Sequence, residues 1–183
     1  LLRPCNYPKN CPGNGYGSYR TEFGITINVI NVMCRLFMDA IDNPFDSIND
    51  IVDLLKSKDG NSIIIIDIHG ESTSEKMALA HFLDGKVTAI FGTHTHVPTA
   101  DLQILEKGSF FQTDLGMCGD YDSVIGMKKD KSILKFTHKH ARSRLETANG
   151  KGTLCGTIIE IDNSTHKIIN YDQIIRGGQL NRK

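Results

Sequence analysis

Ser62-Ile63-Ile64-Ile65-Ile66-Asp67-Ile68 is apolar and β-branched almost without a break. Such a run predicts a strand covered on both faces, as in a parallel sheet. Val87-Thr88-Ala89-Ile90-Phe91 predicts a second, shorter buried strand, and Ser109 to Thr113 a third. Phe23 to Val32 alternates loosely, with Ile25, Ile27, Val29 and Asn31 on one side. Between these runs the period changes. Ile48, Ile51, Val52 and Leu55 mark one face of a helix from about Ile48 to Lys56, opened by Asp46 or Ser47 after the turn Asn43-Pro44-Phe45-Asp46. Ser72 to Asp84 predicts another helix: Ser72 and Glu75 have capping-box spacing, and Met77, Leu79, Ala80 and Leu83 are apolar. Gly152 to Ile161 and Lys167 to Ile175 flank the turn Asp162-Asn163-Ser164-Thr165 and predict a hairpin. Residues 1–22, rich in Gly, Pro, Asn and Tyr, read as an irregular loop, and 176–183 as a frayed tail. The pattern alone supports an α/β fold with mixed strands.

Composition narrows the class. A chain of 183 residues can bury a core, and one domain over 1–183 is expected. Lys plus Arg equals Asp plus Glu at 21 each, so no net field draws the chain to nucleic acid or acidic lipid. Apolar runs fall short of a membrane span, and no cleavable signal is visible. The five cysteines, Cys5, Cys11, Cys34, Cys118 and Cys155, include no Cys-X-X-Cys pair. They read as free thiols in a reducing cytoplasm rather than as a structural zinc site. Gly13-Asn14-Gly15-Tyr16-Gly17 resembles a phosphate loop in composition, but no Gly-Lys-Ser/Thr follows, so it reads as a turn.

The candidate chemistry lies where the strands run out. His69-Gly70-Glu71 follows the isoleucine strand, and Gly92-Thr93-His94-Thr95-His96 follows the Val87 strand. In an extended segment His94 and His96 share one side. An isolated strand-end histidine usually bonds a nearby carbonyl. Three imidazoles brought to one rim point instead to a metal site, with His69, His94 and His96 as ligands. Glu71 and Thr93 are candidates for the surrounding pocket. Asp114, after the Ser109 strand, reads either as a turn cap or as the acceptor of a ligand histidine's second ring proton. The helix opening at Ser72 would turn its positive end toward His69 and help hold a phosphate. Glu75 reads as a cap partner and His81 as a surface histidine. His138-Lys139-His140 copies the metal pair only superficially, in a Lys/Arg-rich stretch read as solvated surface.

Three blocks carry a family resemblance: Asp67-Ile68-His69-Gly70-Glu71-Ser72-Thr73-Ser74-Glu75-Lys76, Gly92-Thr93-His94-Thr95-His96-Val97-Pro98-Thr99-Ala100-Asp101, and Thr113-Asp114-Leu115-Gly116-Met117. In order and spacing they resemble the YmdB-like branch of the calcineurin-like metallophosphoesterases, from Leu2-Arg3-Pro4 to near residue 175. The resemblance implies a metallophosphoesterase αββα sandwich of mixed sheets flanked by helices. It implies hydrolysis of phosphodiesters such as 2′,3′-cyclic AMP by a hydroxide held on two metal ions. His69 and His94 match ligands of one ion, and His96 matches a ligand of the other. Nitrogen and oxygen donors admit iron, manganese or zinc. Family members begin with roughly 80 to 90 further residues, within the size of one domain. These bring carboxylate and amide ligands and the general-acid histidine, so the chain reads as the C-terminal part of the domain. The resemblance also implies a homo-oligomer, and RNA stays open as a partner. Two other readings remain: a binding or regulatory module without turnover, and a mononuclear hydrolase with three histidines on zinc.

Overall fold

The computed structural model describes residues 1–138 and 144–180. Six strands form one sheet in the order β1-β2-β3-β4-β6-β5. They are β1 (Tyr16–Arg20), β2 (Thr26–Met33), β3 (Ile63–His69), β4 (Ala89–Thr93), β5 (Gln103–Ile104) and β6 (Phe110–Gln112). The four central strands β2, β3, β4 and β6 run parallel, and β1 and β5 close the edges antiparallel. Parallel neighbours need crossovers. Helix α1 (Pro44–Lys58) links β2 to β3, and α2 (Thr73–Leu83) links β3 to β4. Both helices bury their apolar stripes on one face of the sheet. Ile48, Val52 and Leu55 of α1, with Leu79, Ala80 and Leu83 of α2, join Ile30, Val32, Ile64, Ile66, Ile68, Ile90 and Phe111 in one core.

The opposite face meets a second sheet. Strands β7 (Gly119–Asp120), β8 (Gly152–Ile161) and β9 (Ile168–Arg176) are antiparallel in the order β7-β8-β9. Phe110 of β6 packs on Tyr171 of β9 with ring centroids 5.3 Å apart, and Gln173 donates to the Thr99 carbonyl at 2.9 Å. Helices, large sheet and small sheet are therefore successive layers, the mixed α/β arrangement the resemblance implied. Helix α3 (Lys129–Thr137) buries only Ser132 and adds no fourth layer among the described residues.

Two expectations are corrected. Residues 1–22 are not all loop, because Tyr16–Arg20 pairs with Thr26–Ile30 as an edge strand. Its outer residues Ser18, Tyr19 and Arg20 are exposed, so it carries no apolar alternation to read. Helix α1 begins four residues early. Asn43 accepts from the Phe45 amide at 3.2 Å, while Asp46 lies in the first turn and accepts from the Asn43 side chain at 2.6 Å. Pro44 suits the first helical position because its missing N–H would have no partner there. The polar stretch before His138 forms α3, with His138 as its C-cap. Lys139 and His140 lie outside the described residues, as do 181–183 of the expected tail. The 152–161 and 167–175 hairpin and the Ser72 cap, which accepts from the Glu75 amide at 3.4 Å, are borne out.

Candidate metal centre

Register sets the rim. Parallel pairing places Met33, His69 and Thr93 side by side at the C-terminal ends of β2, β3 and β4. Such ends are where open α/β sheets carry their sites. Close packing fixes the strands there. A Cβ on Gly92 would collide with the Thr113 carbonyl oxygen, and one on Gly70 with Cys34 Cβ.

Past Thr93 the chain does not stay extended. His94 has φ 114° and His96 φ 67°, so the expected one-sided alternation of the two rings is replaced by left-handed turns. The turn brings His94 back over His69. Nδ1 of His94 lies 3.0 Å from Nε2 of His69, with the rings edge to face at 4.8 Å between centroids. Nε2 of His94 lies 3.1 Å from a Glu71 carboxylate oxygen.

The bonds around His69 define its tautomer. Its Nδ1 is 3.1 Å from the Thr93 hydroxyl, whose other neighbours, Asp67 Oδ1 at 3.0 Å and the Ile68 carbonyl at 3.5 Å, only accept. The single hydroxyl proton goes to one of them, so the Thr93 oxygen accepts from His69 Nδ1–H. Nε2 of His69 is then left with its lone pair, facing His94. Asp67 is itself held by Asn31 at 2.7 Å. Burial lowers the His69 pKa first, the neighbouring His94 lowers it further, and Asp67 offsets part of this. The net direction favours neutral imidazole, the form that ligates metals.

His96 is placed differently. Its Nδ1 is 2.8 Å from the Ile125 carbonyl, an acceptor, so Nδ1 carries the proton and Nε2 the lone pair. Its ring borders a cleft of about 310 Å³ with Val97, Met117, Tyr121, Ser123, Val124 and Ile125. The structure thus joins His69, His94, Glu71 and Thr93 in one bonded cluster and sets His96 two residues away, turned to another loop. Among the described residues no three His, Cys, Asp or Glu side chains converge closely enough to hold a metal by themselves. The donor chemistry fits part of a metal's ligand set: two imidazoles, nitrogen to nitrogen at 3.0 Å, with a carboxylate beside them.

Of its two expected roles Asp114 takes the turn cap, through the Gly116 amide two residues on, and not the bond to a ligand histidine. Its carboxylate accepts from Lys76 Nζ at 3.3 Å, from the Thr95 amide at 2.9 Å and from the Gly116 amide at 2.9 Å. Glu75 donates its amide to Ser72, but its carboxylate accepts from the Arg35 and Leu36 amides instead of closing the capping box. His81 is exposed. Asp67, Asn31 and Lys76 were missed. The signal for Asp67 was an acid inside an isoleucine strand. For Lys76 it was the 76-79-80-83 spacing, which is that of a buried helical stripe.

The profile of the YmdB-like protein family matches residues 1–174. The chain belongs to this family. It is 39% identical over 175 residues to a 2′,3′-cyclic-nucleotide 2′-phosphodiesterase of Bacillus subtilis (strain 168), covering 96% of this chain and 65% of that protein. Two crystal structures are similar to it. A hypothetical protein from Thermus thermophilus superposes with TM-score 0.89 at 34% identity, over 97% of this chain and 67% of that one. A novel phosphatase from Mycoplasma pneumoniae superposes with TM-score 0.86 at 35% identity, over 97% and 63%. The YmdB-like chain therefore spans 65% of the length of its Bacillus relative. Among its described residues no helix is long and apolar enough to cross a membrane.

Proposed function

We propose that this YmdB-like chain supplies part of the active site of a metal-dependent phosphodiesterase acting on 2′,3′-cyclic nucleotides. His69, His94 and His96 are its contribution to a two-metal centre. The observation that carries the reading is the facing pair of ring nitrogens, His69 Nε2 and His94 Nδ1, at 3.0 Å. The name of the Bacillus relative supports the reaction class. Bound metals, of iron, manganese or zinc type, supply Lewis acidity toward phosphoryl oxygens and lower the pKa of water.

The chain's own residues prepare the site. Thr93, backed by Asp67, holds the His69 proton at Nδ1 and leaves Nε2 free. Glu71 orients His94 through its Nε2. Helix α2 begins just beyond His69, and its N-terminal partial charge favours an anionic phosphodiester. The cleft of about 310 Å³ beside His96, walled by Val97, Met117 and Ile125, receives the organic part of the substrate.

Hydrolysis of 2′,3′-cyclic AMP by the full-length protein with added Mn²⁺ tests the reading. His94→Ala is expected to lower kcat at least about hundredfold while the circular dichroism spectrum is kept. Undiminished turnover in the folded variant overturns it.

A further inference from the structure

Lys76 is fully buried, with 0% of its side chain exposed, and Asp114 is 1% exposed. The ammonium reaches Asp114 Oδ2 at 3.3 Å and the Thr93 carbonyl at 3.4 Å. That same Oδ2 accepts the Thr95 amide, and Oδ1 accepts the Gly116 amide. The ion pair therefore grips the backbone on both sides of His94: the carbonyl of the residue before it and the amide of the residue after it. It also ties this turn to the loop that follows β6. His94 and His96 sit at positive φ, where a side chain remains only if its surroundings enforce it. The hydroxyl of Tyr121 donates to the His96 carbonyl at 3.0 Å, from the far end of the same turn.

Fold stability alone does not account for such a pair. Burying two charges is often no more favourable than apolar residues of the same volume. What apolar residues cannot replace are the bonds to Thr93, Thr95 and Gly116. We propose that Lys76 and Asp114 are positioning residues, a buried ion pair that sets the backbone of the His94–His96 turn and so the aim of both imidazoles. Its consequence for metal and substrate rests on the phosphodiesterase reading. Its consequence for the backbone does not.

The test uses the full-length protein, unaltered and as Lys76→Met and Lys76→Met/Asp114→Leu, the second removing both charges. Amide hydrogen exchange at Thr95 and Gly116, Mn²⁺ titration calorimetry, and kcat and KM for 2′,3′-cyclic AMP are measured on each. In the folded double variant, exchange at Thr95 and Gly116 is expected to speed up at least about tenfold. Mn²⁺ affinity is expected to fall about 10- to 100-fold. A folded double variant with exchange and Mn²⁺ affinity like those of the unaltered protein overturns the proposal. If neither variant folds, exchange in the unaltered protein decides. Protection of Thr95 equal to that of the β4 amides upholds the pair, and exchange at the rate of an unbonded loop amide overturns it. An unaltered protein that neither binds Mn²⁺ nor hydrolyses the nucleotide fails the functional reading, while the exchange data still judge the ion pair.

Discussion

The histidine rim and the segment around α3 are both held by ammonium–carboxylate pairs, and the surroundings of those pairs differ. Lys76 and Asp114 are 3.3 Å apart with no more than 1% of either side chain exposed. Lys128 and Glu146 are closer, at 2.9 Å, with 42% and 48% exposed, and Lys131 shares the same carboxylate at 3.3 Å. The shorter pair is the weaker constraint, because water and salt compete for each of its charges. Inside the rim nothing competes, and every oxygen of Asp114 is committed to a named backbone or side-chain donor. Distance alone is a poor measure of what an ion pair holds in place. Burial and the further bonds of each partner decide it.

The largest expected effect comes from unbalancing the inner pair. Lys76→Met alone leaves a buried carboxylate without its counter-ion and is expected to cost about 3–5 kcal/mol, read as a lower urea midpoint. Next is the packing beside it. Gly92→Ala drives a Cβ into the Thr113 carbonyl between β4 and β6 and is expected to cost about 3 kcal/mol in thermal unfolding. A smaller effect follows from acid. Burial raises the pKa of Asp101, but the hydroxyls of Thr113 and Thr99 and the Thr113 amide outweigh it, and the net shift is downward from 3.8. The folded state then holds fewer protons than the unfolded one in this range. The contribution is complete above about pH 3.8 and is lost as pH falls through the lower folded value. Asp101→Asn should flatten the acid limb of a urea-midpoint series below about pH 4. Smallest is the outer pair. Lys128→Ala should leave the midpoint unmoved within error, and a clear drop would put the α3 segment on the same footing as the rim.

Much of the large sheet was legible because its elements obey local rules. The isoleucine run can only be buried on both faces, and Ser72 stands where the helix behind it needs a cap. What escaped depends on contacts between distant residues. Tyr16–Arg20 becomes a strand by pairing with β2, and its own side chains carry no trace of that. His94 and His96 do not alternate, because Thr93 and Thr95 are anchored from α2 and from the loop after β6. Of the two roles read for Asp114, the turn cap on Gly116 holds and the bond to a histidine does not, because its other carboxylate oxygen is taken by Lys76 and the Thr95 amide. In the sequence that lysine looks solvent-facing, between Glu75 and Met77. The cluster of His69, His94 and Glu71 follows from strand ends and short loops, both visible in sequence, whereas the outward turn of His96 to Ile125 is not.

Parallel pairing also gives the rim a history. His69 and Thr93 lie 24 residues apart in sequence and become neighbours only after α2 has crossed back over the sheet. Asp114, which steadies the turn that follows Thr93, arrives later still, in the loop after β6. Contacts so distant along the chain form slowly, since each closes a long loop before any reward is gained. A nascent chain that has emerged only as far as His96 already has all three histidines and still lacks the frame that aims them.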